Sequence, residues 1–231
     1  MTTLVGTSGW SFKAWKGGFY PKDLPDSGML IYYATQLRTV EVNNTFYRMP
    51  KEKVLLEWAE SVPEGFRFAV KASQRITHHG RLRDVADDLQ YFLRVCNALG
   101  EKRGPSLFQL PPNLKADLPL LTEFLALLPR QWHATMEFRH PSWFTDPVYE
   151  ALRAHDVALT LAEQDNFETP FVATASWGYL RLHRSGYDQA RLDDWARRIR
   201  AQPWQEAFVY FKHEGESSGP AAAVQLAEAV N

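Results

Sequence analysis

A single (β/α)₈ barrel of the TIM type is the fold this sequence predicts, and three observations lead to it. Short β-type runs recur about eight times along 231 residues. Segments of helical periodicity separate most of them, and the apolar residues within the runs fall on alternate positions. Strand and helix in regular alternation imply a parallel sheet with helices packed outside it. The runs are 4–8, 39–43, 66–71, 106–110, 134–139, 157–162, 179–183 and 207–212.

The clearest helix spans 84–99, with Val85, Leu89, Phe92, Cys96 and Leu99 on one face. Asp84 suits its N-cap, and Gly100 is placed to stop it. Asp117 suits the cap of the next helix, with Pro119 tolerated in the first turn. Later, Leu192, Trp195, Ala196 and Ile199 form an i, i+3, i+4, i+7 stripe. The last helix is expected to start near Gly219 and Pro220 and to bury Val224, Ala227 and Val230. Segment 163–177 is too short and too mixed for a full helix, so the sixth helix should be irregular or missing. With no Ser/Gly-rich linker, low-complexity tract or repeat to divide it, 1–231 reads as one barrel domain.

Composition narrows the function classes. The chain is 45% apolar and 23% charged, which suits an ordinary globular protein with a sizeable core. A net charge of −1 gives no global field to attract nucleic acid or acidic membranes. The one cysteine, Cys96, lies on an apolar helical stripe and reads as a buried thiol; alone it makes neither a disulfide framework nor a thiolate zinc site. The first residues lack the pattern of a signal peptide, and no apolar stretch is long enough to span a bilayer. A cytoplasmic location is the expectation.

Strand parity carries the functional argument. The outer face of a barrel must be apolar to receive its helices. Val40 and Val42 fit that face in the second strand, which turns Thr39, Glu41 and Asn43 inward. By the same rule Arg67, Ala69 and Lys71 point inward in the third, Thr135, Glu137 and Arg139 in the fifth, and Tyr179, Arg181 and His183 in the seventh. Both faces of the fourth and eighth strands are apolar, so parity leaves them undecided. Ionisable side chains are costly inside a barrel unless paired, solvated or used. Here they gather at the strand ends where barrel enzymes place their active sites. An internal ion-pair lattice would explain many of them, yet cations outnumber carboxylates and leave positive charge for an anionic ligand.

Several stretches stand out together: Gly6-Thr7-Ser8-Gly9-Trp10, Glu41-Val42-Asn43-Asn44-Thr45-Phe46-Tyr47, Phe68-Ala69-Val70-Lys71-Ala72, Thr77-His78, Gln109-Leu110-Pro111-Pro112, Glu137 to Trp143, and Gly178 to His183. In these the chain resembles the domain of unknown function 72 family, the YecE-like proteins, over nearly its whole length. The resemblance implies a TIM-type barrel and carries no established reaction. Members often place an Asn pair at the end of the eighth strand, where this chain has Lys212 and His213.

The residues support acid/base chemistry on a small anionic metabolite such as a sugar phosphate. Glu137 is the first choice for general acid/base, with Glu41, Lys71 and His183 as further catalytic candidates. Arg139 and Arg181 suit bidentate binding of phosphate or carboxylate, and Asn43, Gln109, Trp10, Tyr47 and Trp143 complete the expected substrate-binding set. No cofactor motif is present. A divalent metal held by Glu41, Glu137, His183 and His213 is the minority reading, disfavoured by the neighbouring cations. Two other functions compete. Glu41 and Glu137 could form a glycosidase pair, and the basic and aromatic mouth, with Arg191, Arg197, Arg198 and Arg200 nearby in sequence, could bind nucleotides or nucleic acid. Glu214 and Glu216 argue against a phosphate site before the last helix.

Overall fold

Alternating side chains on a closed sheet must fill two separate spaces, one inside the ring and one beneath the helices. The computed structural model describes residues 1–212 and 217–230 and shows both. Its strands are β1 (Thr2–Thr7), β2 (Thr39–Val42), β3 (Arg67–Lys71), β4 (Arg103–Gln109), β5 (Ala134–Glu137), β6 (Ala158–Gln164), β7 (Phe167–Glu168), β8 (Trp177–Leu182) and β9 (Glu206–Phe211). β7 is a short antiparallel return on β6. The other eight run parallel and close as a TIM-type barrel, with β5 paired to β6 and β9 paired to β1. Leu4, Ala69, Leu107, Ala158, Trp177, Tyr179, Phe208 and Tyr210 fill the interior. Val40, Phe68, Phe108, Met136, Leu180 and Val209 face the helices.

That division settles the strands whose parity was ambiguous. Leu107 and Gln109 share the inner face of β4, with Gln109 in register beside Glu137. Phe208 and Tyr210 take the inner face of β9. Close approach of β1 to β2 requires a glycine: a Cβ on Gly6 would lie 2.0 Å from the Thr39 carbonyl oxygen.

The outer layer comprises α1 (Met29–Gln36), α2 (Glu52–Glu60), α3 (Ala86–Cys96), α4 (Leu118–Ala126), α5 (Asp146–Ala154), α6 (Gln189–Arg200) and α7 (Ser218–Val230). Asp117 caps α4 by accepting from the Leu120 amide at 3.1 Å, and Leu192, Trp195, Ala196 and Ile199 are buried on α6. Two helix assignments change. Asp84 has φ of +51°, which is not the extended backbone an N-cap needs, and α3 begins only at Ala86. Its stop is close to expectation: a 3₁₀ segment follows Cys96, within which Gly100 takes φ of +52°. On α7 the buried face is Ala222, Ala223 and Leu226, while Val224, Ala227 and Val230 are half-buried. Small alanines let the helix lie close to the sheet.

Between β6 and β8 there is no α-helix. After β7 the chain returns in irregular conformation along β6, and threonines replace the missing helix contacts. Thr174 Oγ1 accepts from the Leu159 amide at 2.7 Å and donates to the Val157 carbonyl at 2.8 Å. Thr169 Oγ1 accepts from the Ala162 amide at 3.2 Å. β6 is in register with β5 only at Ala158 and Leu159, then pairs with β7 instead, so the wall parts toward the mouth.

Candidate active site

The C-terminal ends of β1, β2, β3, β5, β8 and β9 converge on the mouth, and parity has turned their ionisable side chains toward one another. Arg181 is 5% exposed and bridges two carboxylates that are completely buried. Its Nη2 donates to Glu41 Oε1 at 2.9 Å and its Nη1 to Glu137 Oε2 at 2.6 Å. Glu137 Oε1 accepts from Arg139 Nε at 2.5 Å. Glu41 receives three further donors: Ser8 Oγ at 2.7 Å, Asn43 Nδ2 at 3.0 Å and Tyr179 Oη at 2.7 Å.

This saturation fixes the charge states. Burial would raise the Glu41 carboxyl, but the Arg181 charge and the hydrogen bonds from Ser8 and Tyr179 overcome it and hold the group at about 2. Burial likewise opposes ionisation of Glu137, and Arg181 with Arg139 still keeps it below the ordinary carboxylate range. Both acids are ionised at neutral pH and already fully engaged.

The remaining groups face open space. A cavity of about 600 Å³ is lined by Ser8, Trp10, Asn43, Tyr47, Trp58, Lys71, Arg181, His183 and Lys212, among others. A second, of about 410 Å³, lies where β5 and β6 part, against Arg139, Gln164, Phe167, His183 and Lys212. His183 and Lys212 border both. Lys71 Nζ donates to Gln109 Oε1 at 2.8 Å and sits 4.4 Å from the centre of the Phe46 ring. Its burial, reinforced by the Arg181 charge, depresses the ammonium to about 8. Burial and Arg181 also push His183 down to about 3, so its ring is neutral. Ser8 donates to Glu41 and therefore accepts from His183 Nε2 at 3.0 Å, which puts the ring proton on Nε2. Two buried polar atoms at this level, Arg181 Nε and Asn43 Oδ1, have no protein partner.

The structure thus brings Glu41, Asn43, Lys71, Gln109, Glu137, Arg139, Arg181 and His183 into one connected cluster, with Trp10 and Tyr47 on the cavity wall. Glu137, first choice for the acid/base role, is sealed beneath its arginines and lines neither of these cavities. Trp143 lies outside the barrel, stacked on Phe138 at 4.6 Å with its Nε1 bonded to the Leu114 carbonyl. Arg67 is inward but sits at the N-terminal end of its strand, away from the mouth. The α6 arginines form an outer face: Arg191 pairs with Glu163, Arg197 with Asp194 and Arg198 with Glu168. Trp58 was not foreseen. It comes from α2 and meets Trp10 edge-on at 5.0 Å, and strand parity says nothing about a helix residue. Ser8 enters the sequence reading only within a motif and Tyr179 only as an inward residue, because their bonds to Glu41 join three separate strands.

Among the described residues no three of His, Cys, Asp and Glu converge as metal ligands, and no helix is long and apolar enough to cross a membrane. His213, Glu214 and Glu216 lie outside the described residues.

An eight-stranded parallel barrel with a charged, cavity-bearing mouth is the class of protein these features define. Residues 4–231 match the model of the family described as "Protein of unknown function DUF72", and the chain belongs to that family. It is similar to the UPF0759 protein YecE of Escherichia coli, with 36% identity over 113 residues, 48% of this chain. That match spans only 42% of the relative's length. The UPF0759 protein YunF of Bacillus subtilis is 24% identical, over 94% of this chain and 90% of that protein. Among solved structures, a DUF72 family protein from Thermotoga maritima superposes with a TM-score of 0.88 at 26% identity, covering 99% of this chain and 98% of the other. One from Enterococcus faecalis gives 0.82 at 18% identity, covering 100% and 96%, a likeness of fold alone.

Proposed function

We propose that the barrel mouth is an enzyme site for a small anionic metabolite, such as a sugar phosphate, and that Lys71 and His183 carry its proton transfers. One observation supports this above the rest. The larger cavity is walled by three cationic side chains, Lys71, Arg181 and Lys212, and by no carboxylate among the described residues. Glu41 and Glu137 lie behind the wall and hold Arg181 in place, which is the fixed polarity that stabilises developing negative charge. Lys71, titrating near 8, can exchange a proton at working pH. His183 offers Nδ1 as acceptor while its Nε2 proton is tied to Ser8. Trp10, Tyr47 and Trp58 supply apolar surface for a sugar ring.

Glycoside hydrolysis by Glu41 and Glu137 fits poorly, since a general acid must hold a proton and these carboxyls are kept ionised. A nucleotide has both the charge and the flat face the wall would accept, so nucleotides belong in the ligand panel. A cytoplasmic location is part of the same proposal and suits a small charged metabolite. Calorimetry with sugar phosphates, nucleotides and the neutral parent sugars tests the reading. Anionic compounds should bind at least ~10-fold more tightly than their neutral parents, and Lys71→Met should remove most of that difference. Equal affinity for charged and neutral compounds would overturn it.

A further inference from the structure

Lys71 differs from the two arginines of the mouth. Arg139 and Arg181 each contact a carboxylate, whereas the nearest acceptor to Lys71 Nζ is a neutral amide oxygen, Gln109 Oε1. Its other neighbour is the face of Phe46. The amine stands at the C-terminal end of β3, on the wall of the larger cavity, with a guanidinium close enough to share Gln109 with it: Arg181 Nη1 lies 3.5 Å from the same oxygen. An amine that is partly desolvated, set against an aromatic ring, placed near a fixed cation and, among the described residues, without a carboxylate partner is in the environment that turns lysine into a nucleophile toward carbonyl carbon.

We infer that Lys71 forms a protonated Schiff base with the carbonyl group of a small anionic aldehyde or ketone held in the larger cavity, an inference that rests on the anionic-ligand reading above. The Nζ lone pair forms the C–N bond, and the carbonyl oxygen leaves as water. Two of the three ammonium protons depart with that oxygen and the third stays on the iminium nitrogen, so the charge is unchanged and nothing is oxidised or reduced. Arg181 and Lys212 stand on the same wall to hold the anionic group of the ligand. His183, neutral and facing both cavities, is placed to relay protons between the carbinolamine and solvent. The resulting iminium is an electron sink, which would let the site exchange a proton at the carbon next to the carbonyl or break a carbon–carbon bond there. Because the ammonium titrates near 8 and an ordinary one near 10.5, Lys71 carries on the order of 100-fold more free amine near neutral pH than a surface lysine.

The test is reductive trapping on the whole protein. It is incubated with pyruvate or with glyceraldehyde 3-phosphate in the presence of cyanoborohydride, which reduces an iminium to a stable secondary amine, and the label is mapped by peptide mass spectrometry. Exposed Lys13 and Lys53 serve as internal references. We expect about one label per chain on Lys71 for at least one of the two probes, formed at least ~10-fold faster than on the references. Lys71→Arg should abolish it. Labelling of Lys53 with none on Lys71, or labelling spread evenly over all lysines, would overturn the inference. Site mapping in the unaltered protein decides the matter even if the variant folds poorly. Calorimetry with the same two probes and no reductant separates the two readings. Binding without a Lys71 adduct removes the imine and leaves the anion site standing; an absence of both binding and label, together with the failure of the wider anion panel, removes both.

Discussion

Arg181→Met removes the guanidinium that joins Glu41 to Glu137 while keeping much of the side-chain volume. Both carboxylates are completely buried, so the variant leaves two charges in a poorly solvated interior. Glu137 would retain Arg139, and Glu41 would retain Ser8, Asn43 and Tyr179. Removing one partner of a buried pair typically costs ~3–5 kcal/mol. The structure supplies its own figure: a carboxyl held at about 2 against an ordinary 4.5 contributes about 3 kcal/mol near neutral pH. That figure is the net of burial and every partner of Glu41, among which Arg181 is the largest favourable one. A folded-state value below the unfolded one means that this contribution is complete above about pH 4.5 and is lost as pH falls toward about 2. In the variant the sign reverses. Burial, no longer opposed by Arg181, raises the carboxyl, the native state takes up a proton before the unfolded chain does, and acidification from about pH 7 to about pH 5 should narrow the deficit. Urea unfolding followed by tryptophan fluorescence at both pH values measures it. A deficit under about 1 kcal/mol at neutral pH, or one that widens on acidification, would refute the assigned charge states.

Other perturbations probe separate parts of the argument. Gly6→Ala drives a Cβ to 2.0 Å from the Thr39 carbonyl oxygen, so β1 and β2 must separate; a loss of at least ~3 kcal/mol, or no folded protein, is expected by circular dichroism, and a near-normal melt would contradict the close approach. Tyr47 is 75% exposed yet lines the larger cavity, so Tyr47→Ala should leave stability within ~0.5 kcal/mol while lowering ligand affinity several-fold by calorimetry. Gln109→Glu puts a carboxylate where Lys71 now has a neutral acceptor at 2.8 Å. Lys71 should then titrate higher, and both anion binding and reductive labelling should drop by about tenfold or more; unchanged labelling would show that the neutral partner is irrelevant.

Parity made the site legible because four strands alternate strictly. Val40 and Val42 leave Glu41 no choice of face, and the same logic places Lys71, Glu137 and Arg181 inward. It failed on β4 and β9, where both faces are apolar and only the register between strands decides that Gln109 stands beside Glu137. It was also silent outside strands. Trp143 follows β5 in a turn, and its ring folds back onto outward-facing Phe138 rather than over the mouth. Trp58 reaches the cavity from a helix. The hardest feature to foresee was which charges would be sealed. An inward Glu near a strand end looks like a general acid until Arg139, just past the same strand, and Arg181, from β8, are seen to occupy it. A pairwise contact between strands 44 residues apart is not written in any local pattern.

The cluster divides into a neutral part and a charged part, and the division says where chemistry can occur. Glu41, Glu137, Arg139 and Arg181 form a chain of two negative and two positive charges, joined by direct ion pairs. Such a lattice is weak evidence for stability, because its desolvation cost opposes its attraction. What it achieves is rigidity: Arg181, pinned at both terminal nitrogens, presents a fixed edge to the cavity without needing to reorganise when a ligand arrives. His183 is neutral, so within this cluster the uncompensated charge is the ammonium of Lys71. That placement sets the lysine apart from the lattice it touches. A charge balanced by Glu41 and Glu137 stays paired as a ligand arrives and offers it only a partly satisfied guanidinium, whereas Lys71 has only a neutral amide to give up. The proposed amine and the ligand's anionic group would therefore meet on the wall of the larger cavity, which three cations and, among the described residues, no carboxylate line.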